Sequence, residues 1–291
     1  MKKVEKDAEK HLPLRYIKKA KRDSKAIDLF IANTSFMKDL YFSSFWYDGN
    51  VAQIGYPRYE VFFRDMTLLK KKVINQLSIP PKKKIVLYAP TFRKTNAVDV
   101  YNLDYEQILR AFNKRFSEDF ILLLRLHPEI SFLSHTMQYK ADNVINVSDY
   151  PDIQELLLCA DCLITDYSSL YLDFCFTGKP IFRYASDVEE FCADRDLYFP
   201  IESYPFPLSK NNEEMVQTIL NYDEKIYFEK VDAFINKIGL YNPQGASQKC
   251  ASLINSYINT RISKKDLFKK YKEELKLISK KEWLTENGGI E

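Results

Sequence analysis

The sequence has little glycine and histidine, and this excludes several familiar kinds of active site. Among 291 residues there are 7 Gly and 3 His. No Gly-rich phosphate loop of either common type occurs, so kinases and dinucleotide-binding enzymes find no support. A Gly-x-Ser-x-Gly hydrolase motif is also missing. His127 and His135 lack the spacing of metal ligands, and we expect no metal site and no cofactor.

Cysteine usage and hydropathy exclude a disulfide framework and a membrane-spanning helix. The five cysteines are an odd number, scattered between Cys159 and Cys250. We therefore expect small buried residues, including the Cys159 and Cys162 pair, in a reducing cytoplasm. No stretch approaches the ~18 apolar residues that span a bilayer. The charged N-terminus is unlike a signal peptide, so we predict neither a membrane span nor export by the usual route.

Aromatic residues and clustered lysines are plentiful. There are 20 Tyr and 20 Phe, and the hydrophobic share of 46% is ample for a buried core. The formal net charge is only +3, but basic residues cluster at Lys70–Lys72, Lys82–Lys84 and between Lys264 and Lys281. Such clusters indicate either an anionic partner or ordinary surface solvation.

Short apolar runs alternate with segments of helical period, the pattern of a parallel sheet covered by helices. Strands are predicted at Ile27–Ala32, Val51–Ile54, Lys84–Ala89, Phe120–Leu126, Val144–Val147, Cys162–Thr165 and Ile181–Tyr184. Helices are predicted at 34–45, 59–78, 104–116, 153–159, 170–176, 211–222, 245–258 and 264–281. Asp104 and Asp152 stand where N-caps belong, each with Gln or Glu three residues later, as in a capping box.

Polar residues follow four of the predicted strands. In open α/β sheets, ligands bind beyond the carboxyl ends of the strands, so these segments are candidates for a common site. They are Ala89–Arg93, Arg125–Pro128, Tyr150–Asp152 and Asp166–Ser169.

The segment from Asp166 to Asp173 is the most informative of these. Ser168 and Ser169 stand at a strand-to-helix turn, where free backbone N–H groups can bind a phosphate. Asp173, more than one turn further on, could reach a ribose hydroxyl. The alternatives are that Ser168 only caps the helix and that Asp173 is a helix-surface charge.

Arg125 and His127 could together hold a pyrophosphate. His127 follows a buried strand and precedes Pro128, which favours an extended conformation. A structural role is the alternative for a single histidine. For Arg93, the alternative is an ion pair with a surface carboxylate.

Five segments, taken in order, resemble the CDP-glycerol glycerophosphotransferase family of teichoic acid polymerases and primases. They are Gly55–Arg58, Tyr88–Arg93, Arg125–Pro128, Tyr150–Leu157 and Ala160–Ser169. The match extends through Gly178–Pro180 and Gly245–Ser247, and so covers roughly residues 1 to 255.

The resemblance implies an α/β, GT-B-like architecture. A Rossmann-like parallel sheet would bind the nucleotide, and a remnant of a second Rossmann-like domain would accompany it. The expected domains are an incomplete acceptor-side domain at 1–58, the nucleotide-binding domain at 59–258 and a basic amphipathic helical tail at 259–291. The tail would either rest on anionic lipid or pack on the protein.

The implied reaction moves glycerol phosphate from CDP-glycerol, or a related CDP-alditol, to a lipid-linked glycerol-phosphate acceptor. CMP would be released, at the inner face of a bacterial membrane, and no nucleic acid is expected as a partner. The resemblance implies a substrate site formed by Thr91, Arg93, Arg125, His127, Asp152, Asp166, Ser168, Ser169 and Asp173.

Two departures from the family pattern leave the catalytic residue unassigned. Family members carry a Trp-His-Gly-Thr-Pro-Leu motif, whose His resembles a general base, just before a stretch like Lys2–Asp7. We expect most of the acceptor-side domain to be missing, since this chain starts at Met1, and His11 is not at the motif position. The acid expected before Gly245 is Gln244. The alternatives are a GT-B glycosyltransferase or epimerase using a UDP- or CMP-sugar, or a nucleotide-binding module without catalysis.

Overall fold

The computed structural model describes residues 12–93, 98–127, 130, 143–194, 197–260 and 262–287. Within these ranges the chain divides into two compact units. The large unit lies within 64–232, and the small unit is formed by 12–63 together with 233–287. The units thus divide the chain after 63 and 232, whereas the predicted domains divide it after 58 and 258. Lys2–Asp7, His11, Pro128 and His135 lie outside the described residues.

The described helices and strands follow the alternation expected from the sequence. The α-helices are α1 (Leu14–Ala26), α2 (Ser35–Ser44), α3 (Thr67–Gln76), α4 (Tyr105–Phe116), α5 (Ile153–Cys159), α6 (Leu170–Cys175), α7 (Val188–Asp194), α8 (Asn212–Leu220), α9 (Glu224–Ile238), α10 (Ala246–Asn259), α11 (Lys264–Lys270) and α12 (Lys280–Glu286). The strands are β1 (Leu29–Ile31), β2 (Asn50–Ala52), β3 (Lys84–Tyr88), β4 (Phe120–Leu124), β5 (Val144–Asn146), β6 (Cys162–Thr165), β7 (Ile181–Tyr184), β8 (Leu208–Ser209) and β9 (Leu277–Ser279). Short 3-10 helices lie at Pro57–Phe63, Val98–Tyr101 and Ile201–Ser203.

The large unit contains a six-stranded sheet in the order β5-β4-β3-β6-β7-β8, and every neighbouring pair is parallel. In the register, Val86 of β3 pairs with Leu122 on one side and with Cys162 on the other. Chain order therefore runs outward in both directions from β3, as in doubly wound nucleotide-binding sheets. The topological switch point lies between β3 and β6, and the predicted parallel α/β sheet is confirmed.

The central strands are buried along their whole length. All residues of β4 and β6 are buried, as are four of the five in β3. Continuous apolar runs are expected where helices cover both faces of a parallel sheet. Asp104 caps α4 by accepting from the Gln107 backbone N–H, and Asp152 caps α5 in the same way from Gln154. Neither segment forms the reciprocal bond of a capping box, because the Asp104 backbone N–H donates to Asn212 Oδ1 and Glu155 accepts from the Tyr150 hydroxyl.

The small unit contains a three-stranded sheet in the order β1-β2-β9, with β1 parallel and β9 antiparallel to β2. The prediction of one helix from 264 to 281 is wrong beyond α11. Lys276 adopts a positive φ of 47°, and the following residues form β9. The apolar stripe of Leu267, Tyr271, Leu275 and Ile278 is buried. Of the two alternatives for this stripe, packing on the protein is the one observed.

Other elements of the described residues also differ from the sequence predictions. The predicted helix at 59–78 is two elements, the 3-10 helix Pro57–Phe63 and α3. Cys159 and Cys162 are buried as predicted, but Cys192 is exposed. No helix in the described ranges is both long and apolar enough to cross a bilayer.

Candidate functional site at the carboxyl edge of the sheet

Thr91 and Asp166 join the two strands that flank the switch point. Thr91 follows β3, and Asp166 is the first residue after β6. The Thr91 backbone N–H donates to both carboxylate oxygens of Asp166, at 2.9 and 3.0 Å, and the Thr91 hydroxyl donates to the same group. Because Asp166 is only 2% exposed, this is a buried bond that fixes the spacing between the β3 loop and the β6 turn.

Arg93 is buried between two carboxylates. Its Nη1 lies 2.8 Å from Asp166 Oδ2, and its Nε and Nη2 lie 2.5 and 3.1 Å from the carboxylate of Asp187, which follows β7. Nη1 also donates to the Thr91 carbonyl oxygen at 2.6 Å. A single guanidinium therefore holds together the segments that follow β3, β6 and β7. The sequence alternative of an ion pair is realised, although both carboxylates lie inside the protein.

Aromatic rings complete this cluster. Tyr167 and Phe191 stack with ring centroids 3.6 Å apart, and the guanidinium carbon of Arg93 lies 4.8 Å from the Tyr167 centroid. The Tyr167 hydroxyl donates to Asp187 at 3.0 Å. The Tyr101 hydroxyl accepts from the Arg93 backbone N–H and donates to the Thr91 carbonyl. These hydroxyl and N–H donors thus bond to acceptors within the cluster itself.

The pKa values follow from the burial and the charges. Burial raises the pKa of Asp187, but the hydrogen bonds and charge of Arg93 and the Tyr167 hydroxyl outweigh it, so the pKa lies below its usual value. Burial lowers the pKa of Arg93, and the two carboxylates reverse this and raise it. One positive and two negative groups give this cluster a formal charge of −1. Arg93 therefore does not supply the net positive charge that a diphosphate needs.

Arg125 is bound differently. Its Nη1 donates to the Tyr150 carbonyl oxygen at 2.5 Å and more weakly to that of Val147, so it joins the ends of β4 and β5. Burial lowers the pKa of Arg125, and the charge of Asp152 partly opposes this. Within the described part of the chain, the recorded hydrogen bonds of this guanidinium go to neutral carbonyls. Its positive charge is thus not cancelled by a bonded carboxylate.

His127 lies exposed beyond β4, beside the β3 loop. Its ring centroid is 5.6 Å from that of Phe92, which stands between Thr91 and Arg93. This contact connects the β4 end to the β3 loop. His127 and Arg125 thus leave the same strand end, as the sequence predicted.

The β6 turn presents Ser168 and Ser169 at the start of α6. The Ser168 hydroxyl accepts from the Leu170 backbone N–H at 3.2 Å. This bond resembles the helix-capping role that was the alternative for Ser168. Ser169 occupies the N-cap position, is exposed and makes no side-chain cap bond. Asp173 is buried at 4% exposure and accepts from Gln154 Nε2 at 2.8 Å. The alternative that Asp173 is a surface charge is wrong, because α5 covers it.

Contacts run continuously through the four predicted segments. Arg125 joins β5 to β4, the pair Phe92 and His127 joins β4 to the β3 loop, and Thr91 joins that loop to Asp166. The nine predicted residues all lie on segments that follow the strands or on α5 and α6, and their contact with substrate stays a prediction. Such an edge, with a cation, hydroxyls and a helix start, is suited to binding a diphosphate.

Asp187 is the charged member of the cluster that the sequence reasoning missed. It comes three residues after β7, and Ser186 precedes it. The rule that found the other segments, polar residues directly after a predicted strand, would have found it too. Among the described residues, no group of three or more His, Cys, Asp or Glu side chains could hold a metal ion.

Comparison with known proteins places this geometry in a family. Residues 1–256 match the family described as CDP-Glycerol:Poly(glycerophosphate) glycerophosphotransferase. The teichoic acid poly(glycerol phosphate) polymerase of Staphylococcus epidermidis is 31% identical over 254 residues, which are 84% of this chain and 35% of that protein. The protein of the same name from Bacillus spizizenii is 31% identical, over 71% of this chain and 57% of its own length.

Solved structures agree with the sequence relatives. The wall teichoic acid polymerase TagF superimposes with a TM-score of 0.71 and 29% identity. A variant of TagF soaked with CDPG gives 0.72 and 28%. Each comparison covers 86% of this chain and 62% of the TagF chain. The chain thus spans between about a third and two thirds of these relatives, and its fold is GT-B-like. It belongs to the CDP-glycerol:poly(glycerophosphate) glycerophosphotransferase family.

Proposed function

We propose that this chain binds CDP-glycerol, or a related CDP-alditol, and takes part in transferring glycerol phosphate to a lipid-linked acceptor with release of CMP. The observation that carries the proposal is the continuous set of contacts through four strand-end segments at the switch point of a parallel sheet. Family membership supports it, as does the TagF structure soaked with CDPG.

The described residues suggest a division of roles around the diphosphate. Arg125 and His127 neutralise its charge, and the exposed Ser169 with the backbone N–H groups of the β6 turn binds its oxygens. Thr91, Arg93 and Asp166 act by positioning, since their polar groups are bonded to one another. Asp152 caps α5 and Asp173 lies buried on α6, and both stay candidates for hydroxyl groups of the donor.

The reaction needs positioning and charge neutralisation more than covalent help from the protein. The acceptor hydroxyl oxygen forms a bond to the β-phosphorus, and the bond from that phosphorus to the bridging oxygen breaks. CMP leaves with the bridging oxygen, and the hydroxyl proton passes to a base. We assign that base to no residue of this chain.

The lipid-linked acceptor implies work at the inner face of a bacterial membrane. A protein that meets such an acceptor without a spanning helix would bind the membrane peripherally. Peripheral attachment is therefore part of the proposal.

Titration calorimetry of the purified chain tests the nucleotide. We expect tighter binding of CDP-glycerol or CDP-ribitol than of UDP-sugars or CMP-sugars. Tightest binding of a UDP-sugar would instead support a glycosyltransferase or epimerase. Arg115→Ala serves as a control variant and should leave nucleotide affinity unchanged. Arg115 donates to the Tyr222 carbonyl oxygen in the way that Arg125 donates to that of Tyr150.

Release of CMP in the presence of a lipid-linked acceptor separates a transferase from a binding module. We expect the chain alone not to polymerise glycerol phosphate, since it offers no assigned base. Robust CMP release by the isolated chain would show that it supplies the base itself. Binding of CDP-glycerol without CMP release would identify a nucleotide-binding module.

A further inference from the structure

The segment Gly55–Arg58 is a part of the family pattern that the large-unit site does not use. It follows strand β2 of the small unit, and Asn33 lies two residues after the end of β1. Strands β1 and β2 are parallel, so the segments that follow them leave the sheet at one edge. The rule that located the first site therefore applies to the small unit as well.

Gly55 sets the course of this segment. Its φ is +76°, a conformation that favours glycine. A Cβ at this position would lie 2.9 Å from the Cα of Pro243, so only glycine lets the turn pass this close. The Gly55 backbone N–H donates to the Ala32 carbonyl oxygen at 3.0 Å and connects the turn to the end of β1.

Arg58 is an exposed cation that is held in place. Its guanidinium carbon lies 4.8 Å from the ring centroid of Tyr56 and 4.7 Å from that of Tyr59. Its Nη2 donates to the Tyr59 hydroxyl at 3.0 Å, and Tyr59 is only 1% exposed. An exposed arginine normally samples many rotamers, so one that is already ordered loses less entropy when it binds a ligand. Ring contacts use the faces of a guanidinium and leave N–H donors at its edge.

Acceptor atoms lie beside this cation. The Tyr41 hydroxyl donates to the Ile31 carbonyl oxygen at 3.4 Å, so the Tyr56 hydroxyl is the donor in its 3.1 Å bond to Tyr41. The oxygen of the half-buried Tyr56 can therefore still accept a hydrogen bond. Asn33 is 3% exposed, and its Nδ2 donates to the Tyr59 hydroxyl at 3.4 Å. Within the described ranges its Oδ1 has no hydrogen-bond partner, whereas buried acceptors are normally satisfied by protein, water or ligand.

One cation with acceptors beside it fits a ligand that carries a single negative charge and free hydroxyl groups. A phosphodiester of glycerol has both, because its phosphate oxygens accept from arginine and its hydroxyl groups donate. A nucleobase fits less well, because the guanidinium already lies against the rings of Tyr56 and Tyr59.

We propose that Arg58 and Tyr56 form a subsite for one glycerol phosphate unit of the acceptor. Arg58 donates to the phosphate oxygens, and the Tyr56 oxygen accepts from a glycerol hydroxyl. Tyr59 and Asn33 position the guanidinium, and Asn33 Oδ1 is a further acceptor at this edge. The inference rests on the glycerol phosphate acceptor of the proposed function and gives that acceptor a place in the small unit.

Binding of a soluble glycerol phosphate oligomer tests this subsite. The full chain is titrated by calorimetry with the oligomer and, separately, with CDP-glycerol. Arg58→Gln removes the charge at an exposed position, so the fold should be retained and circular dichroism checks this. Its matched control is Arg22→Gln, the same change at an exposed arginine of α1 in the same unit.

We expect Arg58→Gln to weaken oligomer binding about tenfold or more and to leave the affinity for CDP-glycerol unchanged. Arg22→Gln should bind both ligands like the original chain. Arg58→Lys keeps the charge but loses the planar donors, so its loss should be intermediate. Equal losses in Arg58→Gln and Arg22→Gln would overturn the proposal, since nonspecific charge would then explain the binding. A parallel loss of CDP-glycerol affinity in Arg58→Gln would overturn it too.

Two further measurements test the hydroxyl contact and the link to the proposed function. Inorganic phosphate should displace the oligomer only weakly; displacement at equal concentration would overturn the proposal, because the glycerol hydroxyls would then contribute nothing. Tyr56→Phe keeps the ring and removes the acceptor, so it should weaken oligomer binding but not phosphate binding. A chain that binds the oligomer through Arg58 but no CDP-alditol would refute the proposed donor alone. Binding of CDP-glycerol without the oligomer would refute the subsite alone.

Discussion

Arg93 and Arg125 both come after neighbouring strands of one sheet, yet their surroundings differ. Arg93 follows β3 and is enclosed by two carboxylates, so its charge is more than cancelled. Arg125 follows β4, is half-buried and donates to carbonyl oxygens. Carboxylate partners make an arginine a structural crosslink, whereas carbonyl partners orient it and leave its charge for an anion. The β3, β6 and β7 side thus builds the site, and the β4 and β5 side supplies its charge.

Replacing Arg93 tests whether this arginine is the structural crosslink of the pair. Arg93→Ala leaves Asp166 and Asp187 buried without their cation, so we expect the free energy of unfolding to fall by about 3–5 kcal/mol. Urea denaturation followed by circular dichroism measures the loss. Arg125→Ala is the matched variant and should lose only about 1 kcal/mol of stability. Similar losses for the two arginines would contradict the distinction.

Replacing Arg125 tests whether this arginine supplies the positive charge for nucleotide binding. Arg125→Ala removes the partly buried cation, so we expect CDP-glycerol binding to weaken by up to about 3 kcal/mol in calorimetry. Arg115→Ala removes an equivalent bond to a backbone carbonyl, at Tyr222, and should leave nucleotide affinity unchanged. Unaltered affinity in Arg125→Ala, with the fold retained, would remove Arg125 from the site.

His127 and Ser169 sharpen the comparison, because both are exposed. We expect His127→Ala and Ser169→Ala each to weaken donor binding by ~1–3 kcal/mol through lost charge-assisted hydrogen bonds. Ser263, which caps α11 through its side chain, provides the control. Ser263→Ala should cost about 1 kcal/mol of stability and no affinity. Lost stability without lost affinity in Ser169→Ala would remove Ser169 from the site.

The pH dependence of stability gives the smallest effect. The pKa of Asp187 is held below its usual value of 3.8. A lowered folded pKa stabilises the protein above the unfolded pKa, and this contribution is lost as pH falls through the folded pKa. We therefore expect Asp187→Asn to be less stable than the original chain at pH 6, and the difference to shrink below about pH 4. A difference that stays constant down to pH 2 would contradict the ion pair with Arg93.

Much of the large unit could be predicted because strands that are buried on both faces of a sheet consist of continuous apolar residues. The strands Cys162–Thr165 and Ile181–Tyr184 and the helix Ile153–Cys159 have their predicted bounds. Each is a short apolar run that ends at a polar or turn residue, and its pattern fits no other type of element. The site segments follow from the same pattern, because a parallel sheet puts all carboxyl ends at one edge.

Two elements show where sequence reasoning failed for different reasons. Helix α9 buries Tyr227, Val231, Phe234 and Ile238 at regular helical spacing, so its signal was present and was missed. Strand β9 had a competing signal, because Leu267, Tyr271 and Leu275 continue a helical stripe toward it. Its identity as a strand depends on pairing with β2, more than 200 residues earlier.

The order of strand-end segments and the continuous apolar strands were determined by the sequence itself, since they depend on local residue types and spacing. The partner of each charge was decided only by the tertiary structure. Arg93 pairs with Asp187, which lies 94 positions later in the chain. Asp173 of α6 is covered by α5, a helix that comes before strand β6 in the chain. Local pattern determines which elements form, but folding determines which charges are left uncompensated, because ion pairs depend on distances that no local spacing encodes.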